Sequence, residues 1–356
     1  MSVPGLEPVA EEEHRIEAID PIAGEIDALA TSQYRLGGGI KPVLLRAVVM
    51  AGTLFVISVV VFGATQVLPG DAATHVLGRN ATPEALAKLR AELNLNEPAI
   101  FQYWYWIKGF ITGDLGVSIS ARVPVIDHIG SRVLNTALLV FIAAVITVPL
   151  AVFFGLIGAV RRDRLPDHLL GAFAIVFTAV PDFVVGMVLL IVFATTLLNM
   201  LPAVSLIPIG ESPLGYLPLF VLPAATLVLV SVPYLGRLLR ASMIDVLQSE
   251  YVLWARLKGI PERQVILRHA LPNALVPMVQ GTALILAYMS GGIVVIEYLF
   301  AFPGLGSSLL QAVQTRDVPV VQAVCLIFAA FYVLVNILAD VATVIVTPRL
   351  RKGSAP

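Results

Sequence analysis

The sequence predicts an all-α integral membrane protein with six transmembrane helices. Apolar residues make up 58% of the 356-residue chain and charged residues only 13%, about half the charged share of an average soluble domain. The mean hydropathy is +0.89, and a soluble fold of this size could not bury so much apolar surface. Six apolar segments are each long enough to cross a hydrocarbon core of about 30 Å. Each is expected to be helical, because lipid cannot satisfy the backbone of an open strand.

The six segments are separated by polar stretches. They lie near Val43–Leu68, Val133–Val160, Leu169–Leu198, Leu217–Gly236, Leu275–Ile296 and Val318–Val346. The third is long and contains Pro181, which predicts a kink or a strong tilt because proline disrupts the preceding helical turn. The first is preceded by about forty residues and is too long for the h-region of a cleavable signal peptide.

The distribution of Lys and Arg predicts that both termini are cytoplasmic. With the N-terminus inside, the inner segments carry 16 of these residues and the outer segments carry 7. Six of the seven lie in one long outer loop, where the positive-inside rule has less force. The net charge of −1 gives no bulk field for nucleic acid.

Besides the inner loops, three regions are predicted to lie outside the bilayer. Residues 1–42 form an acidic cytoplasmic extension, expected to be a solvated tail, although a contact with a basic partner subunit is an alternative. Residues 69–132 form an extracytoplasmic loop or cap, with a helix beginning at Thr82-Pro83. This cap holds an aromatic cluster at Phe101, Tyr103, Trp104, Tyr105, Trp106 and Phe110. The cluster predicts an interfacial belt, with a peptide-binding face as the alternative. Residues 351–356 form a cytoplasmic tail.

The inner connection 237–272 is polar, basic and long for a simple turn. It interrupts the core of spans two to six, predicted over 133–350, and is expected to be helical in two pieces broken near Gly259-Ile260-Pro261. A folded loop of this kind predicts a docking element.

No catalytic site is predicted. No glycine directly precedes a lysine, so the chain lacks a Walker-type phosphate loop, and no H-E-x-x-H or G-x-S-x-G pattern occurs. The five histidines have no metal-ligand spacing, and the single cysteine, Cys325, lies in an apolar run. The sequence therefore predicts a non-enzyme without a metal, whose energy comes from a partner or from an ion gradient.

Several polar residues fall at or near membrane depth, where they are costly unless they face a cavity or another helix. They are Gln66, Asp182, Gln280, Glu297, Asn336 and Asp340. Asp182 and Glu297 are expected near the outer interface. No dense acidic relay crosses the bilayer and no inverted repeat of broken helices is evident, which disfavours a gradient-driven secondary transporter.

The inner loop carries a family resemblance. Residues 250–259, E-Y-V-L-W-A-R-L-K-G, and residues 268–274, R-H-A-L-P-N-A, resemble the EAA loop of binding-protein-dependent ABC import permeases of the dipeptide, oligopeptide and nickel subfamily. That loop reads E-A-A, three residues, G, nine residues, I-x-L-P. Ala255, Gly259, Leu271 and Pro272 match it. Leu253, Trp254 and His269 depart from it, so the side chain that makes the polar ATPase contact stays open, with Glu250 as one candidate.

Further stretches between Val43 and Leu350 are similar to the same subfamily. They are Leu68-Pro69-Gly70-Asp71, Gly113-Asp114-Leu115-Gly116, Asn135-Thr136, Glu297 with Pro303-Gly304-Leu305-Gly306, and Arg316-Asp317. No single stretch is decisive, but the motifs occur in the right order and at the predicted depths.

The resemblance implies a type I ABC importer permease fold in the inner membrane of a bacterium. It implies a second permease, two cytoplasmic ATPases that bind ATP-Mg, and an extracytoplasmic binding protein, with no cofactor in this chain. It assigns ATPase coupling to Glu250, Leu253, Trp254, Ala255, Lys258, Gly259, His269, Leu271 and Pro272. Polar or family-matched positions predicted for the translocation path or outer gate are Ser231, Gln280, Ser290, Glu297, Pro303, Gly304 and Asn336, some of which are expected to serve helix packing instead.

The coupling loop is expected to act as a lever. Small side chains around Ala255 would let a short helix sit in a groove of the ATPase, Gly259 would allow a sharp turn, and Pro272 would set the start of the fifth span. Peptides are the predicted cargo. Nickel, glutathione or another small solute, a secondary transporter and a membrane enzyme remain alternatives, the last least favoured.

Overall fold

The computed structural model describes residues 40–67, 82–92, 96–195, 197–208 and 211–346. The α-helices of eight or more residues in these ranges are α1 (Ile40–Val67), α2 (Pro83–Glu92), α3 (Ala99–Thr112), α4 (Val125–Val160), α5 (Leu165–Ala179), α6 (Asp182–Leu190), α7 (Val221–Leu247), α8 (Glu250–Leu257), α9 (Leu271–Leu299), α10 (Leu305–Thr315) and α11 (Val318–Val346). Predictions for the acidic extension before Ile40, for Leu68–Asp71 and for the C-terminal tail lie outside the described residues. Residues 50–346 form a single compact unit.

The predicted all-α membrane fold is confirmed. Among the described residues, five helical segments are long and apolar enough to cross a bilayer: Val48–Gln66, Val125–Val160, Pro213–Leu247, Glu262–Leu299 and Val318–Thr343. A bent pair, α5 with α6 and the π-helix Ile191–Thr195, supplies a sixth if it is counted as one span. Helix α4, which contains the second predicted span, begins at Val125, eight residues before the predicted start of that span, because the polar residues at its N-terminus are also helical.

The third span is broken rather than tilted. Its halves, Leu165–Ala179 and Asp182–Thr195, meet at 103°. Val180 before the break has extended backbone angles (φ −91°, ψ 130°), as expected for a residue that precedes a proline. Pro181 then leads directly into α6. The predicted site of the kink is therefore correct, but its size makes the span two helices.

Helix α7 lies at the centre of the unit and packs against α4, α5, α6 and α9. Its contact with α4 is unusually close, because a Cβ on Gly155 would lie 2.7 Å from the Leu239 Cβ and 2.9 Å from the Gly236 carbonyl oxygen. Small residues at such crossings let backbones approach where lipid gives no hydrophobic drive for association.

Substituting Gly155→Ala is expected to lower the thermal stability of the purified protein by several degrees, since a backbone carbonyl on α7 cannot move aside cheaply. Gly171→Ala in α5 is the matched control, because a Cβ there meets nothing within 4 Å. The control should be neutral or slightly stabilising, as alanine is about 0.5–1 kcal/mol better than glycine in a helix. Equal melting temperatures of the two variants would contradict the close crossing of α4 and α7.

The aromatic cluster of α3 divides into two faces. Tyr103 and Trp106 pack against Phe62 of α1, with ring centroids 5.5 and 5.7 Å from that of Phe62, and the Tyr103 hydroxyl lies 2.7 Å from the Ser58 Oγ. Phe101, Trp104 and Tyr105 are exposed. Part of the predicted belt therefore anchors α3 on the first span, and only the remainder is free to face lipid headgroups.

The predicted inner loop 237–272 is shorter in the structure. Helix α7 continues to Leu247, because Leu235, Leu239 and Met243 recur every four residues and are fully buried. The next helical run begins at Glu262 with one turn (Glu262–Gln264) and a π-helix (Val265–Ala270) that leads into α9. The connection between the end of α7 and the helical run that begins at Glu262 therefore consists only of α8 and its flanking turns. Helix α9 is long enough that α8, near its start, and α10, just after its end, lie on opposite sides of the unit. These two sides are called the α8 side and the α10 side.

Candidate functional site

Helix α8 presents two different faces. Val252 is fully buried and Ala255 is 7% exposed, and both belong to the main apolar core. On the other face, Leu253, Trp254 and Leu257 are 54%, 62% and 68% exposed. This docking face, defined by Leu253, Trp254 and Leu257, is an apolar surface at a short helix outside the long spans. Clustered exposed apolar side chains of this kind mark interaction surfaces.

The small side chain of Ala255 does not lie on the outer face of α8, where it could contact an ATPase groove. The fit of α8 into such a groove stays a prediction. The alanine packs into its own chain, where its small side chain lets α8 lie close to the bundle. Leu253 and Trp254, the two departures from the EAA pattern, are the exposed residues. Glu250 and Lys258, at the two ends of α8, are also exposed.

Gly259 ends α8 in the left-handed conformation, with φ +72°. Its amide donates to the Arg256 carbonyl at 2.9 Å, and the Ile260 amide donates to the Ala255 carbonyl at 3.3 Å. These bonds satisfy carbonyls that the end of the helix leaves free. A Cβ at Gly259 would meet nothing within 4 Å, so the requirement for glycine is conformational rather than steric.

Side chains tie α8 to the helical run that follows it. Arg256 forms a two-point pair with Glu262, at 3.1 and 2.7 Å, across the turn. The Asn273 amide group of α9 donates to the Tyr251 hydroxyl at 3.0 Å and to the His269 carbonyl at 2.8 Å. The ion pair is exposed and contributes at most about 1 kcal/mol. Its main effect is to hold the orientation of α8 relative to α9.

Pro272 is the second residue of α9 and lies near the start of the fifth span, as predicted, but the helical run does not begin there. It lies ten residues inside a helical run that begins at Glu262. The π-helix Val265–Ala270 directly precedes it. A wider turn at this point accommodates a ring that would clash with an α-helical carbonyl four residues earlier. His269 lies within this irregular turn and Leu271 directly follows it, and both are half-buried.

A second polar contact on the α8 side was not predicted. The Arg240 guanidinium of α7 donates to both carboxylate oxygens of Asp167 in α5, at 2.5 and 2.6 Å. The Asp163 amide also donates to Asp167, at 3.0 Å. Asp167 is buried and Arg240 is partly exposed, so loss of one partner would cost about 2 kcal/mol, between the values for exposed and buried pairs. The sequence shows that Asp167 and Arg240 are charged residues near the ends of spans, but it does not predict that the two side chains contact each other.

On the α10 side, Glu297 is fully buried and connects three elements. Its carboxylate accepts hydrogen bonds from the Thr136 hydroxyl of α4 at 2.6 Å and the Ser307 amide of α10 at 3.0 Å. The carboxylate therefore lies at the positive end of the α10 dipole. A Cβ on Gly304 would overlap this carboxylate.

The predicted outer-gate residues Glu297, Pro303 and Gly304 are thus brought together. The Pro303 carbonyl accepts a hydrogen bond from the Asn135 side chain at 2.8 Å, and the Thr136 hydroxyl also accepts from the Leu305 amide at 2.8 Å. Two of the segments that carry the family resemblance, Asn135-Thr136 and residues 303–306, therefore contact each other directly. Their service as a gate stays a prediction.

The remaining predicted path residues are not brought together. Ser231 is buried in α7. Gln280 donates to the Thr343 hydroxyl at 2.7 Å and joins α9 to α11. Ser290 and Asn336 bond to carbonyls of their own helices, Ala287 at 2.6 Å and Tyr332 at 2.8 Å. Gln280 is therefore a helix-packing residue, which the sequence could not separate from a path residue.

Asp182 lies at the break in the third span, where the Tyr288 hydroxyl of α9 contacts its two carboxylate oxygens at 3.2 and 3.1 Å. A Cβ on Gly292 would lie 3.0 Å from the same carboxylate. The sequence did not predict that Tyr288 contacts Asp182, because the contact depends on the packing of α6 against α9.

Asp317 holds the loop between α3 and α4 to the turn before α11. It accepts hydrogen bonds from the Ser118 hydroxyl at 2.5 Å, the Ser120 hydroxyl at 2.7 Å and the amides of Ile119 and Ser120 at 3.1 and 3.0 Å. Burial alone would raise the pKa of Asp317, but these hydrogen bonds outweigh it and hold the pKa below its ordinary value. The family-matched Asp317 thus has a structural role.

Asp317→Asn is expected to destabilise the protein by about 2–3 kcal/mol at neutral pH, because charge-assisted hydrogen bonds are lost. A depressed pKa stabilises the fold above the unfolded value of about 3.9 and stops doing so as the pH falls through the folded value. Thermal unfolding from pH 7 to pH 3 should therefore show a constant difference between wild type and variant that narrows only below about pH 4. A difference that vanishes by pH 6 would contradict this role.

Comparison with known proteins adds independent evidence. Residues 148–352 match the family described as binding-protein-dependent transport system inner membrane component, and residues 40–139 match its N-terminal membrane component. A relative from Brucella abortus, provisionally named as a peptide transport system permease protein, is 35% identical over 309 residues, which is 87% of this chain and 98% of the relative. The glutathione transport system permease protein GsiC of Escherichia coli is 37% identical with the same coverage.

Proposed function

Because the chain belongs to the family of binding-protein-dependent transport system inner membrane components, we propose that it forms half of a pore that imports short peptides. It is a non-catalytic, multi-pass permease subunit of an ABC transport system. In the proposed assembly, a second permease completes the pore, two cytoplasmic ATPases bind ATP-Mg and drive it, and an extracytoplasmic binding protein delivers the cargo.

The observation that carries the proposal is the docking face of α8. Val252 and Ala255 fix the helix on the bundle, while Leu253, Trp254 and Leu257 are exposed. An ATPase groove that covers these three side chains would remove an apolar patch from water, and large aromatic side chains at such patches commonly dominate binding energy. The α8 side then lies in the cytoplasm, as do both termini, in agreement with the distribution of Lys and Arg.

The connections of α8 support its proposed role in coupling. Its start follows α7 closely, its Arg256–Glu262 pair bridges to the next helical turn, and Asn273 of α9 bonds to Tyr251. A movement of α8 with the ATPase would therefore be passed to α7 and α9 together, as packed elements move as rigid bodies. The π-helix Val265–Ala270 gives α9 a local irregularity at which such movement could be absorbed.

The proposed cargo follows from the named relatives. One carries a name for peptide transport and another for glutathione transport, and glutathione is itself a tripeptide. The shared chemical class is a short peptide. Glutathione is kept as a specific candidate, because the similarity to GsiC is as extensive as that to the peptide permease.

Affinity purification of the chain from its native membrane, with mass spectrometry of the associated proteins, tests this assignment. A second permease and one or two ATPases should co-purify, and peptide-loaded binding protein should stimulate ATP hydrolysis by the complex. Uptake assays with dipeptides, longer peptides and glutathione then distinguish the cargoes. A chain that purifies alone and moves solute along an ion gradient in liposomes would overturn the proposal.

A further inference from the structure

A cleft of about 420 Å³ opens between the end of α4 and the segment that joins α8 to α9. Its lining residues are Leu156, Ile157, Val160, Arg161, Arg263, Ile266 and Leu267. The volume falls within the range of about 300–1,000 Å³ that is typical of small-molecule sites. The cleft is separate from the docking face and from the Glu297 cluster.

The chemistry of the cleft is divided into an apolar wall and two cations. Five aliphatic side chains line it, and the two remaining residues are Arg161 and Arg263, both exposed. Within the described part of the chain neither arginine forms an ion pair, whereas Arg162 pairs with Asp163 and Arg256 pairs with Glu262. The positive charge at the cleft is therefore uncompensated. Guanidinium groups are well suited to bind phosphate through paired hydrogen bonds.

The level of the cleft relative to the bilayer follows from α4. This helix is a candidate span that ends at Val160, so Leu156 and Val160 lie at the end of its apolar run and Arg161 lies just beyond it. The cleft therefore sits where hydrocarbon gives way to headgroups. Its assignment to the cytoplasmic leaflet rests on the orientation in the proposed function.

We propose that this cleft binds an anionic phospholipid. The lipid phosphate is held by Arg161 and Arg263, and the start of an acyl chain lies along the aliphatic wall. Basic sites between helices on the cytoplasmic side of a membrane suit anionic headgroups, and the aliphatic wall continues the apolar surface of a span. A soluble ATPase would instead meet the exposed docking face of α8. The lipid would connect α4 to the π-helix that leads into α9, next to the coupling segment.

The test uses the complete purified complex in nanodiscs of phosphatidylcholine that contain a minor fraction of phosphatidylglycerol. After mild delipidation, native mass spectrometry counts the phosphatidylglycerol molecules that remain bound. The double variant Arg161→Gln/Arg263→Gln removes the cleft cations, and Arg162→Gln/Arg164→Gln removes two neighbouring arginines that do not line the cleft. A third variant, Val160→Trp, fills the cleft and keeps both cations.

The expected result is at least a fivefold loss of retained phosphatidylglycerol in the first and third variants and wild-type retention in the second. Retention in the Arg161→Gln/Arg263→Gln variant, or equal loss in both arginine pairs, would overturn the proposal. Displacement of the retained phosphatidylglycerol by millimolar inorganic phosphate would indicate that Arg161 and Arg263 bind free phosphate, and it would also overturn the proposal. If the Arg161→Gln/Arg263→Gln variant retained phosphatidylglycerol normally but lost the co-purifying ATPase, the cleft would be a binding site for the ATPase, and the lipid proposal would be overturned. Because ATPase co-purification of the wild type is scored separately, failure of the lipid site and failure of the proposed function remain distinguishable.

Discussion

Trp254→Ala is expected to abolish or severely weaken association of the ATPase while the permease itself stays folded. Trp254 is 62% exposed on α8, so its removal disturbs little of the bundle. In the assembly it would lie at the centre of the docking face, where truncation of a buried aromatic anchor costs about 2–4 kcal/mol, or roughly 30- to 1,000-fold in affinity. The measurement is the amount of ATPase that co-purifies, together with transport of peptide into proteoliposomes.

Trp104→Ala provides a matched control for this experiment. Trp104 of α3 is also 62% exposed, but α3 lies in a different part of the chain, where it packs on Phe62 of α1. The control should retain the ATPase and transport activity, since only exposed aromatic area outside the docking face is lost. Equal loss in the two variants would indicate a general effect of removing tryptophan, and normal association of Trp254→Ala would place the ATPase elsewhere.

Glu297→Ala is expected to produce the largest loss of stability among substitutions on the α10 side. The truncation leaves the Ser307 amide and the Thr136 hydroxyl without their carboxylate partner in a buried site. Each buried group deprived of its partner costs about 1–3 kcal/mol, so a total of about 3–5 kcal/mol is expected. The purified variant should show a lower melting temperature and faster proteolysis within residues 300–315 than the wild type.

Glu211→Ala controls for loss of a carboxylate. Glu211 is exposed, and its hydrogen bond is to the Tyr216 hydroxyl five residues away. Its removal should change the stability by less than about 1 kcal/mol, as for most surface substitutions. An unchanged melting temperature of Glu297→Ala would contradict the role of Glu297 as the connection between α4, α9 and α10.

The transmembrane segments were predictable because each depends on a local property of the chain. About 20 apolar residues in succession suffice to specify a span, and the sixth span was predicted over Val318–Val346, the bounds of α11. The break at Pro181 was also predictable in position, because proline limits its own backbone and that of the preceding residue. Its angle of 103° depends on the packing of α6 against α7 and α9, which hydropathy does not encode.

The inner connection shows where local reasoning fails. Arg237 and Arg240 follow the predicted end of the fourth span at Gly236, but the apolar residues Leu239 and Met243 continue the buried stripe of α7 past them. Charged residues can end a hydrophobic run without ending the helix. The four-residue spacing was present in the sequence and could have predicted the extension.

The orientation of α8 could not be predicted from the motif. Ala255 matches the family pattern, and a small side chain is compatible equally with a groove in a partner and with close packing on the same chain. The structure favours the second, because Ala255 and Val252 both face the bundle core. Pairs distant in sequence, such as Asp167–Arg240 and Ser118–Asp317, were likewise invisible, since they depend on the tertiary approach of separate elements.

The most direct test of coupling through α8 is site-specific cross-linking to the ATPase, in a Cys325→Ser background and the complete complex. Leu257→Cys places a thiol on the docking face, and Ala255→Cys places one of similar size on the face that packs on the bundle. We predict efficient cross-linking from Leu257→Cys, with a yield that changes when ATP is bound, and little from Ala255→Cys. Cross-linking from Ala255→Cys alone, or from neither position in a complex that still transports peptide, would contradict the account.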